Sequence, residues 1–335
     1  MLNVGIVGTG AIGSKRAKVV SEHAESKLSI VCDLDENRAE TVANLYNCEW
    51  TKDWQNVVKN ASIDVVIIAV ITKALLPICV SALNSKKHVL AEKPLGRNPY
   101  EAISMVEAAY TNNVLLKVGF NHRYHPAYRK LVELYKDGQI GEIFYVRSCY
   151  GHGGRPGYEK EWRGDKESAG GGELLDQGVH IVDLARNLID DFVEVFGYAQ
   201  RYFWEIEPLE DNGFALLRNA KGQLLSLHAS WTQWKNLFRF EVFGSKGYLI
   251  INGLGGSYGA ETLILGKRRP ESGPPDETVY AFAGSDESWS IEWQDFANAI
   301  VTGAQYQATG MDGYQAVKTI NAIYESSKTG SKVML

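Results

Sequence analysis

The chain carries only four cysteines in 335 residues, Cys32, Cys48, Cys79 and Cys149, and no two of them stand in a CxxC spacing. That excludes the closely spaced thiols of a structural zinc site and predicts reduced, mostly buried thiols rather than a disulfide framework. No run of 18 apolar residues occurs, so no membrane-spanning helix is expected. Base is in no excess: 35 Lys and Arg stand against 40 Asp and Glu, which leaves no electrostatic footprint for nucleic acid. Met1 runs directly into LNVGIVG without the basic segment, apolar core and cleavage site of a secretory signal, so a cytoplasmic location is expected. Internal repeats and low-complexity tracts are missing too. What remains, 45% hydrophobic and 22% charged, is ordinary globular composition, and the length predicts two domains.

The first chemistry-bearing signal lies at the N-terminus. An apolar strand over 2–8 leads into Gly8-Thr9-Gly10-Ala11-Ile12-Gly13, with helical residues following through Val20. In a dinucleotide fold the first glycine of GxGxxG allows the tight turn, the second admits the pyrophosphate, and the third lets helix pack on strand. The next strand, Leu28–Cys32, ends at Asp33, 20 residues past Gly13, where such a fold places the acid that binds the adenosine ribose. An acid there repels the 2′-phosphate of NADP and favours NAD. Asp33 is alternatively a helix cap, a role for which Asp35 is at least as good. Leu34 and Arg38 complete the expected cofactor-side set, Arg38 with the option of reaching a phosphate.

Strand and helix then alternate: helices over 36–46, 54–59, 74–84 and 99–112, and strands over 48–51, 64–70, 87–91 and 114–118. This predicts an α/β fold with an N-terminal doubly wound parallel sheet of the Rossmann type, over 1–121. The strand 87–91 runs into Glu92-Lys93-Pro94, which puts Lys93 at the carboxyl end of a strand, the ligand side of an open α/β sheet. A lone lysine in that place is also an ordinary solvated charge. Asn121, Arg123 and Tyr124 follow the strand 114–118 and offer donors suited to a polyhydroxylated ligand; the bland alternative is a polar linker.

Residues 122–335 predict a second α/β domain. Its adjacent strand candidates over 193–202, 213–218, 224–232, 237–243, 248–251 and 262–265 predict a large, open, mostly antiparallel sheet. Its aromatics, Trp231, Trp234, Phe238, Phe240, Phe243 and Tyr248, suit one face packed on helices and the other on a second subunit. Residues 266–283, rich in Pro, Gly and charge, read as an exposed excursion, and helices near 289–301 and 313–328 close the chain. The glycine-rich loop over 151–172 is long enough to be functional or simply mobile; in it Arg155, Lys160, Trp162 and Arg163 are expected to meet a sugar ring or phosphate. It ends at Gly170-Gly171-Gly172, after which Leu174, Leu175, Val179, Val182 and Leu184 repeat with helical period. Asp176 and His180 lie within that run, four residues apart and thus on one helix face, either as a proton-transfer pair or as a satisfied Asp/His contact.

Taken together, GIVGTGAIG, Asp33, Glu92-Lys93-Pro94 and GGGELLDQGVHIVDL resemble the glucose-fructose oxidoreductase, inositol dehydrogenase and rhizopine-catabolism (Gfo/Idh/MocA) family. The likeness spans nearly the whole chain, including the GSKG turn at 244–247 and AIYESSKTG at 322–330. The resemblance implies that Lys93, Asp176 and His180 converge on a substrate carbinol beside the nicotinamide. His180 is then the general base, Lys93 the donor to the same oxygen, and Asp176 the holder of the lysine and of a neighbouring hydroxyl. It also implies a homodimer or homotetramer made through the C-terminal sheet. On the substrate side Asn121, Arg123, Tyr124, Trp162 and Arg163 join the three. On the cofactor side Val70, Thr72, Leu75, Glu92, Lys93 and Asn121 join the glycine loop. The chain departs from the family in one stretch, Val70-Ile71-Thr72-Lys73-Ala74-Leu75, where many members have Thr-Pro-Asn and then histidine. The function expected is hydride transfer between NAD and a secondary alcohol of a sugar, cyclitol or nucleotide-sugar. The alternatives are a ketosugar reductase of glycan or antibiotic-sugar assembly and a dinucleotide-sensing regulator without turnover.

Overall fold

The computed structural model describes residues 1–335, which pack as two compact units: Met1–Asn121 with Trp289–Val317, and His122–Ser288 with Lys318–Leu335. In the first, strands β1 (Leu2–Val7), β2 (Ser26–Cys32), β3 (Glu49–Thr51), β4 (Val65–Ile68), β5 (His88–Ala91) and β6 (Leu116–Val118) form one sheet in the order β3-β2-β1-β4-β5-β6. Every pairing is parallel. All four residues of β4 are fully buried, as a strand covered on both faces must be, and this is why it reads as a continuous apolar run without alternation. Helices α1 (Ala11–Glu22), α2 (Glu36–Tyr46), α3 (Trp54–Val58), α4 (Thr72–Asn84) and α5 (Pro99–Asn112) make the crossovers.

The helix limits follow from local chemistry. Asp35 caps α2 by accepting from the Arg38 amide, and Asn47 ends it in the left-handed region. Asn98 caps α5 ahead of Pro99, and Asn113 ends it the same way. The strand order reverses between β1 and β4, so the glycine loop after β1 and the Val70–Lys73 segment after β4 flank the switch point at the carboxyl ends of the strands, where ligands of such sheets bind.

Helix α9 (Ser288–Thr302) lies late in the chain, yet it completes this first unit. Its Trp293 and Phe296 enter the core formed by Val4, Ile6, Leu28 and Leu90, and the Trp293 indole donates to Ser26 Oγ at 3.1 Å. Sequence order assigned this helix to the second domain. An amphipathic stripe states that a helix is buried without stating which core buries it.

The second unit holds α6 (Pro126–Lys136), β7 (Ile143–Gly151), the single-turn α7 (Lys166–Ala169), α8 (Val179–Ile189), β8 (Phe192–Gln200), β9 (Asn212–Asn219), β10 (Leu224–Ser230), β11 (Leu237–Gly244), β12 (Gly247–Asn252), β13 (Glu261–Lys267) and β14 (Asp276–Phe282). The long helix α10 (Gly310–Thr329) runs from the first unit's segment into this one, and β15 (Val333–Met334) closes the chain. The sheet order is β14-β13-β12-β11-β7-β10-β9-β8-β15. Only β7 and β10 pair in parallel. Along β9, buried Ala215 and Leu217 alternate with exposed Phe214 and Leu216, so one face is packed and the other carries Tyr145, Tyr198, Phe214 and Leu216 into solvent. The expected excursion at 266–283 instead contains the edge strand β14, paired antiparallel with β13. Its residues are almost all exposed, so no buried face marks it in the sequence. No helix is long and apolar enough to cross a membrane, and all four cysteines are free thiols.

Candidate active site

The glycine loop is built by close approach at its two ends. A Cβ on Gly8, which has φ +93°, would lie 2.2 Å from the Ala69 carbonyl oxygen, and one on Gly13 would lie 1.8 Å from that of Gly8. A Cβ on Gly10 would meet nothing within 4 Å, so open space faces the middle glycine. Gly10 caps α1 with no side-chain hydrogen bond, which leaves the first amides of the helix to an anion. Asp33 is tied into this loop: its Oδ2 accepts from the Thr9 amide at 2.8 Å and the Thr9 hydroxyl at 3.0 Å, and its Oδ1 from the Asp35 amide at 3.0 Å. With Asp35 as the cap of α2, Asp33 is left for a ligand at the end of β2. A cradle that a methyl group would fill, an uncapped helix start and an anchored acid fit a dinucleotide with a free 2′-hydroxyl.

The outer members of the expected cofactor set differ in their surroundings. Leu34 is 89% exposed, and Arg38 is exposed and paired with Asp35 at 3.5 Å. Thr72 is the first residue of α4 and is buried. Leu75, expected to contact the cofactor, is 2% exposed on α4 and buried with Ile78, Cys79 and Ala82. Glu92 accepts from Arg16 Nε at 2.8 Å and Nη2 at 2.7 Å, while Arg16 Nη1 donates to buried Glu292 of α9 at 2.5 Å. The Trp289 ring lies 4.5 Å from the Arg16 guanidinium. Glu92 is therefore engaged in an ion pair within the protein, and half-buried Lys93 follows it at the carboxyl end of β5, ahead of a cis peptide bond to Pro94.

In the second unit Leu174–Gly178 form a π-helical turn that runs into α8. This departs from the uniform α-helix that the spacing predicts, and wide turns of this kind concentrate at functional sites. Asp176 accepts from Arg163 Nε at 3.1 Å, and the Arg163 guanidinium lies 4.4 Å from the Trp162 ring. His180 is buried, its ring stacked on that of His122 with centroids 3.7 Å apart and planes at 11°; His122 Nε2 meets the Tyr150 hydroxyl at 3.1 Å. Burial holds the Tyr150 phenol well above its ordinary range, so it stays a neutral hydrogen-bonding group. His122 was not singled out from sequence, because nothing in Asn121-His122-Arg123-Tyr124 ties it to a residue 58 positions later.

The remaining ligand-side expectations divide. Arg123 is buried and gives both Nε and Nη2 to the oxygens of fully buried Asp183 at 2.8 and 2.6 Å. This bidentate pair fixes the Arg123 guanidinium against Asp183. Tyr124 is buried in the same 3₁₀ turn, as is Asn121 at its start. Arg155 pairs with Glu161 at 2.6 Å and Lys160 lies in the short 3₁₀ turn Tyr158–Lys160, so the long loop carries local structure. No cluster of potential metal ligands occurs.

These features define an oxidoreductase with an NAD-binding Rossmann unit. Residues 2–120 match the oxidoreductase family profile described as an NAD-binding Rossmann fold, and residues 128–250 match the GFO/IDH/MocA C-terminal domain. The chain belongs to the Gfo/Idh/MocA family. Levoglucosan dehydrogenase of Pseudarthrobacter phenanthrenivorans is 26% identical over 99% of this chain and 97% of its own length. The scyllo-inositol 2-dehydrogenase (NAD(+)) of Bacillus subtilis is 27% identical over 98% of this chain and 95% of its own. In fold, the chain is similar to a levoglucosan dehydrogenase solved in complex with NADH and levoglucosan, with a TM-score of 0.91, 24% identity and coverage of 99% of both chains.

Proposed function

We propose that the protein is a cytoplasmic NAD-dependent dehydrogenase that oxidises a secondary alcohol on a polyhydroxylated six-membered ring, a sugar or cyclitol. The observation that carries the cofactor half is Asp33 locked to Thr9 of the glycine loop. That geometry holds a carboxylate where a 2′-phosphate would be repelled. Gly8, Gly10 and Gly13 with the first amides of α1 hold the pyrophosphate. When bound, the nicotinamide supplies the hydride acceptor.

The protein's own groups handle the proton and the charge. His180 takes the hydroxyl proton, a role worth roughly 10² to 10⁴ in rate. Lys93 donates to the same oxygen and stabilises its developing charge. Asp176 accepts from a neighbouring hydroxyl, with Arg163 fixing its orientation. Trp162, under the Arg163 guanidinium, offers an apolar face to the ring of the substrate. The names of the relatives, which pair this family with levoglucosan and inositols, support the choice of ligand class.

The test is nicotinamide absorbance across free hexoses, anhydrosugars, inositols and nucleotide-sugars, with NAD and NADP in parallel and with ketones offered to NADH. Turnover with NAD preferred is the expected result. Reduction of a ketosugar with no oxidation of any alcohol would reverse the physiological direction. Tight NADH binding with no turnover on any member would make the protein a sensor. Within an active enzyme, His180→Ala is expected to lower kcat at least about 100-fold with NADH affinity intact; unchanged turnover would remove His180 from the mechanism.

A further inference from the structure

Three consecutive glycines, Gly170 to Gly172, precede the turn that carries Asp176, and neither proton transfer nor dinucleotide binding calls for them. Gly170 ends α7 at φ +88°; the reason for Gly171 and Gly172 lies across the unit, in Glu210 and Tyr324. Glu210, 6% exposed, stands just ahead of β9. Its Oε2 accepts from the Gly172 amide at 3.1 Å and its Oε1 from the Leu174 amide at 3.0 Å. The Tyr324 hydroxyl, on α10, donates to Oε1 at 2.8 Å, and the Glu210 carbonyl accepts from the Glu173 amide at 3.3 Å.

The glycines are shaped to this pair. A Cβ on Gly171 would lie 2.4 Å from Tyr324 Oη, and one on Gly172 would lie 2.0 Å from the Glu210 carbonyl oxygen and 2.8 Å from its carboxylate. Gly213 repeats the pattern from the other side, since a Cβ there would lie 2.0 Å from Leu174 Cγ. From Gly172 the order passes directly into the site: its carbonyl accepts from the Asp176 amide at 2.9 Å, inside the π-helical turn that delivers His180.

We propose that Glu210, secured by Tyr324, is a positioning residue that sets the register of the π-helical turn and thereby the placement of Asp176 and His180. A carboxylate that takes two otherwise orphaned amides at a helix start fixes where the helix begins. A start displaced by one residue would turn every following side chain by about 100°. The wide turn needs such a determinant, because a regular α-helical continuation is always available to the same residues. Asp211, the next residue, faces the other way, accepting from the amides of Tyr202, Phe203 and Trp204 at 2.9, 2.7 and 2.9 Å, so the segment bearing Glu210 is itself held rigid.

The proposal rests on Asp176 and His180 acting on the carbinol, and the experiment separates the two claims. Glu210→Gln, Tyr324→Phe, Asp176→Asn and His180→Ala are compared with the parent for kcat, sugar KM, NADH Kd by fluorescence and Tm. Glutamine keeps the volume but sets an NH₂ against one of the two backbone donors. Glu210→Gln is expected to lower kcat roughly 10- to 100-fold, as misplacement of catalytic groups by about 1 Å does, with sugar KM raised through the displaced Asp176 and NADH Kd within about twofold. Tyr324→Phe is expected to lose severalfold in kcat, and the double variant to be no worse than Glu210→Gln, as coupled neighbours are. A folded Glu210→Gln with parental kcat, alongside inactive Asp176→Asn, would overturn the clamp. Turnover surviving in both Asp176→Asn and His180→Ala would overturn the reading of the site instead. If Glu210→Gln fails to fold, Tyr324→Phe decides: parental kcat in that variant sinks the proposal, and a severalfold loss at constant Kd sustains it.

Discussion

A methyl group at position 13 would sit 1.8 Å from the Gly8 carbonyl oxygen, well inside any tolerated contact, so α1 and the glycine loop would have to separate. Gly13→Ala is expected to abolish NADH binding in a fluorescence titration while the second unit stays folded. At Asp33 the effect is selective. Asp33→Asn removes the negative charge and weakens the hold on Thr9, and the ratio of kcat/KM for NAD over NADP is expected to fall at least about tenfold; an unchanged ratio would place the discrimination elsewhere. Positions set by local order were legible in the sequence: the glycines stand after β1, Asp33 at the end of β2 and Lys93 just past β5. The Arg123–Asp183 pair was not legible, because its members lie 60 residues apart and no spacing announces a buried pair. Glu210 was invisible for the same reason, being joined to Gly172 across 38 residues.

Helices and strands were legible where their ends carry their own signals. The limits of α2 and α5 follow from Asp35 and Asn98 at one end and Asn47 and Asn113 at the other. β14 carries neither a buried face nor such punctuation, and the π-helical turn has the same apolar pattern as the α-helix it interrupts. The start of that turn makes stability depend on pH. Burial pushes the Glu210 carboxyl up to about 7 despite the hydrogen bonds it accepts. The folded protein therefore holds this proton more tightly than the unfolded chain. The corresponding stability is fully present below the ordinary carboxylate range and is lost as pH rises through about 7. Denaturant midpoints measured across that window are expected to decline in the parent and to flatten in Glu210→Gln; parallel profiles would exclude Glu210 as the titrating group.

For the molecule as a whole, the solvent-facing side of the nine-stranded sheet, with Tyr145, Tyr198, Phe214 and Leu216 exposed, is the surface proposed for assembly into a homodimer or homotetramer. Size-exclusion chromatography with light scattering tests it: a parental mass of two or four chains that falls to one in Leu216→Asp with Tyr198→Asp is the expected result, and an unchanged mass would overturn this surface. Within the first unit, Trp293→Ala empties the centre of the core and is expected to cost about 3–5 kcal/mol in denaturant unfolding. Trp293 lies far along the chain from the strands it covers. The last strand of the first sheet ends at Val118, and the helix that covers its core begins 170 positions later, at Ser288. Until that helix is made, the core residues that Trp293 and Phe296 cover lack these two partners. The first unit is thus discontinuous in the chain, and a chain truncated before Trp289 lacks the side chains that close its core.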